Sequence, residues 1–236
     1  MREAGKIVAG ALKMLADKIK PGLVTSELDK YTTRFLMERH AIPSFKGYRG
    51  FPASLCVSVN EQVVHGIPGP RVLKEGDIVS LDVGSIYKGY QGDAAITVPV
   101  GEISDQAKAL IQVTEGSLYA GIAAAREGAH VGDISWAVQF HVESRGFTVV
   151  REYVGHGIGR QMHEDLQIPN FGQPGTGPTL RKGMTLALEP MVNAGDWRTL
   201  VLPDRWTVVT ADGSLSAHFE HTIAIVGDEA EILTAL

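Results

Sequence analysis

The sequence predicts an α/β (α+β) fold in which two halves of the chain repeat the same local structure. Helical and strand periods alternate along the 236 residues, and one ten-residue pattern occurs twice. "LKEGDIVSLD" (Leu73–Asp82) and "LRKGMTLALE" (Leu180–Glu189) share a leucine, a basic residue, glycine at the fourth place, an apolar alternation and a terminal carboxylate. Because side chains alternate along a strand, both halves are expected to deliver a carboxylate at the same position of the pleat.

The elements follow from apolar spacing and from the residues that interrupt it. The first predicted helix contains Val8, Leu12, Leu15 and Ile19 and stops at Pro21-Gly22, and the second runs from a cap at Thr25 or Ser26 towards His40. The third contains Ala107, Ile111, Leu118 and Ile122 and ends near Gly128. The fourth contains Ile134, Val138 and Val142 and ends at Gly146. The predicted strands are Ser54–Val59, Asp77–Ser85, Tyr90–Val98, Met184–Val192, Trp206–Thr210 and Ser216–Val226. The stretch Pro169–Pro178 is predicted to be a long loop inside the domain.

Composition restricts the class of protein. The formal net charge of -5 argues against nucleic acid or an anionic membrane surface as the main partner. The single cysteine, Cys56, permits no internal disulfide and fits a reducing compartment. The sequence shows no apolar run long enough to span a bilayer, no signal-peptide pattern and no linker. We therefore expect one domain over residues 1–236 and a cytoplasmic location.

A predicted hairpin brings two aspartates together. In "VSLDVGSIYKGYQGDAAITV", a two-residue loop at Tyr87-Lys88 would place Asp82 and Asp93 directly opposite each other across the ladder. Like charges in that position are destabilising, unless they lie at an exposed edge. A divalent cation between the two carboxylates removes the difficulty.

Further potential ligands occur later in the chain. Glu189 ends the second copy of the repeat, Glu220 lies in "SAHFEHTIAIV", and His156 lies in the glycine-rich "VGHGIGRQMHE". Four carboxylates in one cavity would raise one another's pKa, and two divalent metal ions would cancel their charge. Oxygen ligands with one imidazole suit Mn, Fe, Co or Zn, and the absence of thiolates argues against a structural zinc site.

Several residues also have ordinary structural explanations. A lone histidine such as His65 is more often packed in a core than catalytic, and His156 with His163 is an even case without context. Cys56 in "ASLCVSV" fits a pocket wall better than a nucleophile. His218 shares a strand face with Glu220 and is expected to support it. The remaining histidines are predicted to be surface or packing residues: His40, His130, His141 and His221. The chain carries no dinucleotide fingerprint, no HExxH and no GxSxG.

Together, "VVHGIP", "SLDVG", "YQGDAA", "VGHGIG", "LALEPMV" and "FEHTIAI" resemble the motifs of type I methionine aminopeptidases. The similarity covers essentially the whole chain, with the motifs in family order. The resemblance implies the pita-bread fold, in which two pseudo-symmetric halves form a curved, mostly antiparallel sheet covered by helices. That fold would explain the repeat. It also implies removal of the N-terminal methionine from nascent polypeptides when the second residue is small.

The resemblance assigns roles to individual positions. The five implied ligands of a two-metal site, with Co, Mn, Fe or Zn as the ion, are Asp82, Asp93, His156, Glu189 and Glu220, of which Asp93 and Glu220 would bridge both metals. Glu189 would also be the general base. His65 would assist proton transfer near the scissile amide, and His163 would hydrogen-bond the substrate carbonyl. The implied methionine pocket consists of Tyr48, Phe51, Cys56, Met162 and Trp206, with Phe45.

Some positions differ from the usual family pattern. Met162 occupies a place that is often aromatic, Phe45 one that often carries a smaller residue, and Arg49 a variable position. The partner implied is the N-terminal methionine of a nascent chain near the ribosome, and the protein is expected to be a monomer. A proline-specific peptidase would share the ligands but usually carries a further N-terminal domain. An inert peptide- or ribosome-binding relative would typically have lost ligands, and all five are present.

Overall fold

The computed structural model describes residues 1–235, which form helices and strands in two similar successions. The helices are α1 (Arg2–Ala16), α2 (Thr25–Met37), α3 (Asp105–Ala124) and α4 (Val131–Glu143), with a 3-10 turn at Tyr48–Gly50. The strands are β1 (Ile42–Pro43), β2 (Cys56–Val59), β3 (Gln62–Val64), β4 (Ile78–Tyr87), β5 (Tyr90–Pro99), β6 (Thr148–Val149), β7 (Gly155–Gly157), β8 (Glu164–Ile168), β9 (Thr185–Leu188), β10 (Met191–Asn193), β11 (Thr199–Val201), β12 (Val208–Thr210), β13 (Ser216–His218), β14 (Glu220–Ile225) and β15 (Ala230–Ile232). Within this described part of the chain, no helix has the length and apolarity needed to cross a membrane.

One large antiparallel sheet organises the protein. Its strands lie in the order β1-β4-β5-β14-β9-β7-β8, with β2 also paired to β4 and β15 to β14. Two smaller sheets, β13-β10-β6 and β11-β12-β3, lie beside it. Helices α1 and α2 cover the first half through one apolar cluster, and α3 and α4 cover the second half through another. Helices therefore cover a mostly antiparallel sheet, as the pita-bread fold requires.

The predicted repeat is confirmed by matched backbone geometry. Gly76 and Gly183, the fourth residues of the two copies, have φ of +90° and +91°. The amide of Gly76 donates to the carbonyl of Val100, and the amide of Gly183 donates to that of Ile225. Two isolated bridges also recur at equivalent places, Val24 with Val72 and His130 with Thr179. The two halves thus reach β4 and β9 through the same turn.

The helices form where apolar spacing predicts them, but their ends differ. Helix α1 ends at Ala16, before Ile19, and α3 ends at Ala124, before Gly128. The predicted cap of α2 at Thr25 or Ser26 is wrong, because Val24 is the N-cap residue. The Thr25 hydroxyl is engaged elsewhere: it donates to the carbonyl of Gly69 at 3.0 Å and accepts from the Gly69 amide at 3.0 Å.

The hairpin between β4 and β5 turns one residue later than predicted. Tyr87 pairs with Tyr90, so the loop is Lys88-Gly89 and not Tyr87-Lys88. Lys88 and Gly89 have φ of +50° and +78°. A two-residue hairpin loop of this hand requires positive φ at both positions, which glycine adopts without strain and which is poorly suited to tyrosine. The register of the ladder therefore shifts by two residues.

Two predicted strands are each interrupted near a potential ligand. Met184–Val192 splits at Glu189-Pro190, and Ser216–Val226 splits at Phe219. The register is the same on both sides of the break, since Leu188 pairs with His221 and Met191 with His218. Proline has no amide hydrogen to donate to the ladder, which explains the break at Pro190. The pieces beyond the break, β10 and β13, belong to a smaller sheet.

Candidate metal and substrate site

The five predicted ligands lie on one face of the large sheet. Asp82 lies on β4, Asp93 on β5, His156 on β7 and Glu220 on β14, while Glu189 directly follows β9. All five side chains line the same cavity. The pairs that align them across the strands are Asp82 with Ala95, Ala95 with Glu220, His221 with Leu188, and Ala187 with His156.

The corrected hairpin register keeps the two aspartates together. Asp82 lies opposite Ala95, and Asp93 lies opposite Gly84, so the aspartates are diagonal and not direct neighbours. A shift of two residues leaves every side chain on its original face, and diagonal side chains can still reach each other. Asp82 and Asp93 line the same cavity, and burial together with nearby charges, including that of Asp82, raises the pKa of Asp93. The predicted proximity is therefore present, although the predicted pairing is wrong.

Three of the five ligands converge most closely. One ligand atom from each of Asp93, His156 and Glu220 lies within 4.8 Å of the others. His156 Nε2 also lies 3.5 Å from Glu189 Oε1. His156 Nδ1 hydrogen-bonds with the carbonyl of Gly157 at 2.9 Å. That bond places the proton on Nδ1 and leaves Nε2 free to bind a cation.

The carboxyl groups of the cluster are buried close together, and their pKa values are raised. Burial raises the pKa of Asp82 from 3.8 to about 7. Burial, followed by the charge of neighbouring carboxylates, raises the pKa values of Asp93, Glu189 and Glu220 well above their usual range. One oxygen each of Asp82, Asp93 and Glu220 is buried without a hydrogen-bond partner. Buried acceptors without donors are rare, and a cation at this place would satisfy both their charge and their lone pairs.

The histidines around the cluster are held neutral. Burial lowers the pKa values of His65 and His156 to about 4, with a smaller contribution from His163. Burial and then the charge of Arg49 lower the pKa of His163. The rings of His156 and His163 lie 4.2 Å apart, and the Tyr48 hydroxyl hydrogen-bonds with His163 Nδ1 at 2.8 Å. Neutral imidazoles can bind metal or donate a hydrogen bond near neutral pH.

His65 is held in an unusual conformation at the edge of the cavity. Its φ of +59° lies in the left-handed region, which non-glycine residues adopt rarely. The ring meets those of Tyr153 and Trp206 edge-on, with centroids 5.7 and 6.3 Å away. Strained backbone of this kind concentrates at functional sites. The sequence did not single out Tyr153, whose only signal was its place just before "VGHGIG".

An apolar pocket adjoins the carboxylate cluster. The cavity has a volume of about 170 Å³, close to that of an engineered cavity that admits a benzene-sized ligand. Its apolar wall contains all the residues predicted for it, namely Phe45, Tyr48, Phe51, Cys56, Met162 and Trp206. Gly84 makes this wall possible, because a Cβ there would come within 2.7 Å of Phe45 and 2.9 Å of Met162.

The remaining predictions concern residues outside the catalytic set. Burial, and then Asp82, raise the pKa of the Cys56 thiol, which fits a pocket wall and not a nucleophile. Among the described residues, His218 Nε2 and Glu220 Oε1 both lack hydrogen-bond partners, so the supporting role of His218 stays a prediction. The four histidines predicted to be surface or packing residues lie outside the cavity: His40, His130, His141 and His221.

Comparison with known proteins agrees with this geometry. Residues 1–226 match the model of metallopeptidase family M24. Methionine aminopeptidase 1 of Bacillus subtilis is 58% identical over 234 residues, covering 99% of this chain and 94% of the relative. The chain belongs to the methionine aminopeptidases of family M24. A Clostridium perfringens methionine aminopeptidase is 54% identical, with 100% of this chain and 95% of the relative covered.

Solved structures of methionine aminopeptidases share the architecture. The methionine aminopeptidase of Thermotoga maritima superposes with a TM-score of 0.99 at 52% identity, covering 100% of this chain and 95% of that one. The methionine aminopeptidase of Rickettsia prowazekii superposes with a TM-score of 0.98 at 46% identity, covering 99% of this chain and 95% of that one. A prolidase from Pyrococcus furiosus superposes with a TM-score of 0.81 at 18% identity, covering 100% of this chain and 63% of that one. At this identity the likeness shows the shared fold alone.

Proposed function

We propose that this protein is a metalloaminopeptidase that removes the N-terminal methionine from polypeptides whose second residue is small. One observation carries the proposal: buried carboxylates, three of which have an unpartnered oxygen, share a cavity of about 170 Å³ with an apolar wall. A substrate could place its methionine side chain in the pocket and its first peptide bond beside the cluster. The methionine aminopeptidases among the relatives support the same conclusion.

We propose that the five clustered side chains would hold divalent metal ions, two in number. The three unpartnered carboxylate oxygens and the free Nε2 of His156 are suited to this, and the oxygen-rich donor set fits Mn, Fe, Co or Zn. When bound, such ions acidify water and polarise a carbonyl group.

The chain's own residues then have separate roles. Glu189, whose pKa burial raises, accepts the proton of the attacking water. The Tyr48 hydroxyl lies 2.8 Å from His163 Nδ1. In the tautomer that we propose, the hydroxyl donates this bond, so the ring proton is on Nε2 and can be donated to the substrate carbonyl as negative charge develops there. His65, neutral because burial lowers its pKa to about 4, assists proton delivery to the departing amine.

Peptide hydrolysis with defined substrates tests the proposal. We expect release of methionine from Met-Ala-Ser in the presence of divalent metal, little from Leu-Ala-Ser, and none after metal removal. Cleavage of an Xaa-Pro peptide in preference to Met-Ala-Ser would instead indicate the prolidase-like activity of the more distant relatives. Equal turnover of Met-Ala-Ser and Leu-Ala-Ser would contradict the assigned pocket.

We propose that the protein meets nascent chains near the ribosome, acts as a monomer and works in the cytoplasm. The single cysteine, which is buried, supports the reducing compartment.

A further inference from the structure

Arg49 lines the catalytic cavity and has no role in the proposed mechanism. It is exposed, and within the described residues it is the only lysine or arginine that lines that cavity. Within residues 1–235 it takes part in no ion pair. An arginine with an unbalanced charge at the mouth of a binding site is available to a ligand.

The guanidinium group is directed by its neighbours. Its central carbon lies 5.4 Å from the centroid of the Tyr48 ring, within the range of a cation–π contact. The Tyr48 ring in turn stacks on His163, with centroids 5.4 Å apart. Arg49 is thus placed next to the histidine that the proposed mechanism assigns to the scissile carbonyl.

The backbone holds Arg49 in this place at some cost. Its φ of +49° and ψ of +22° are left-handed, and the flanking Gly47 and Gly50 have φ of +88° and +91°. A left-handed conformation is unfavourable for a residue that carries a Cβ. Glycine would adopt this turn more easily, so the turn by itself does not explain an arginine.

The charge at the mouth is positive once the cluster is loaded. Two divalent ions would balance the four negative charges of the carboxylates, which would leave the charge of Arg49 uncompensated beside the cavity. A substrate chain leaving the scissile carbonyl extends about 3.3–3.6 Å per residue. The third residue of an extended substrate therefore lies about 7 Å beyond the scissile carbonyl, a distance that the long arginine side chain beside His163 can span.

We propose that Arg49 is a specificity-determining residue that binds a substrate carboxylate at the third position. This inference rests on the proposed function. The second residue is small and has no carboxylate to offer, so the anion is the side chain of an acidic third residue or the free C-terminus of a tripeptide. Arginine pairs with both through the same planar fork of donors.

The test compares kcat/KM for Met-Ala-Glu-Ala-amide, Met-Ala-Ala-Ala-amide and Met-Ala-Lys-Ala-amide. An exposed ion pair contributes about 0.2–1 kcal/mol, so we expect each step from Glu to Ala to Lys to lower kcat/KM by about 1.4- to 5-fold. At ~1 M salt the Debye length falls to about 3 Å, and the preference should nearly disappear. A second pair, Met-Ala-Ala as free acid and as amide, reports the terminal carboxylate separately.

Variants identify the residue responsible. Arg49→Gln should abolish the difference in kcat/KM among the three peptides. Arg49→Glu should invert their ranking, and Arg49→Lys should retain part of the difference. Arg39→Gln is the matched control, because Arg39 is also an exposed arginine over an aromatic ring, 3.5 Å from that of Phe35, but lies outside the cavity.

The outcomes separate this inference from the proposed function. The inference is overturned if wild type cleaves Met-Ala-Ala-Ala-amide but shows no difference in kcat/KM among the three peptides. It is also overturned if Arg49→Gln keeps the wild-type ranking of kcat/KM. Both results leave the aminopeptidase activity standing. Failure of the metal-loaded wild type to cleave any of the three peptides overturns both.

Discussion

Replacing Asp82 with asparagine should stabilise the metal-free protein while impairing metal binding. Asp82 has a buried oxygen without a hydrogen-bond partner and lies among three other carboxyl groups. Asparagine keeps nearly the same shape and removes the ionisable group. The change therefore separates the cost of a buried charge from the packing of the side chain.

The magnitude follows from the pKa of Asp82. Burial raises that pKa from 3.8 to about 7, and each pKa unit corresponds to about 1.4 kcal/mol, so full ionisation in the folded state costs about 4 kcal/mol. Water that enters the cavity makes this an upper limit. Because the folded state holds the proton more tightly than the unfolded state, wild-type stability is present below about pH 4 and is lost as the pH rises to about 7.

Urea unfolding of chelator-treated proteins at pH 5 and pH 8 measures the effect. We expect Asp82→Asn to be more stable than wild type by up to about 4 kcal/mol at pH 8 and by distinctly less at pH 5. The histidines of lowered pKa are present in both proteins, so they cancel in the difference. Asp228→Asn, at an exposed loop carboxylate, is the control and should show no comparable gain.

Adding divalent metal should reverse the ranking, since a bound ion stabilises the folded state only where its ligands are intact. An Asp82→Asn protein that is less stable than wild type at both pH values would refute the reasoning. So would a gain that does not change with pH, because it would show that the charge of Asp82 is not the cause.

Three further predictions follow from the geometry of the site and of the repeat. His163→Ala should lower kcat by about 10²–10³ at unchanged metal content, whereas His156→Ala should lower the metal content itself; metal analysis and kinetics on both proteins would show a reversed assignment. Gly84→Ala should destabilise by about 1–3 kcal/mol and raise KM for methionyl peptides, because its Cβ would press on the pocket wall; an unchanged KM would contradict this. Gly76→Ala and Gly183→Ala should each cost about 1–2 kcal/mol in thermal or urea unfolding, and clearly unequal losses would argue against equivalent turns.

Local patterns in the sequence were sufficient for the types and order of the main elements. Apolar spacing places the four long helices, because a buried helical face requires the 3.6-residue period wherever the helix packs. The echo between Leu73–Asp82 and Leu180–Glu189 predicts the repeat, since equal turns and equal pleats need the same residues at the same places. The identities of the five clustered side chains come from motifs whose spacing is short.

The ends of the elements and the continuity of the strands were harder to predict from the sequence. The break at Pro190 interrupts a stretch whose apolar alternation predicts one continuous strand. The break at Phe219 occurs without a proline, so the local sequence does not predict it. Both depend on how the two sheets diverge beside the cavity. Arg49 likewise had no role assigned by the sequence, because a single arginine between glycines has no periodic partner.

The hairpin register and the assembly of the site were decided by the tertiary structure. Strand side chains have a period of two, so a register shifted by two residues leaves Asp82 and Asp93 on the same face, and alternation alone does not distinguish the two pairings. The positive φ values of Lys88 and Gly89 select one of them. The contact between Tyr48 and His163 joins residues 115 positions apart, and only the packing of both halves against one sheet brings them together. Sequence motifs thus predicted which side chains would cluster, and long-range packing determined which of them touch.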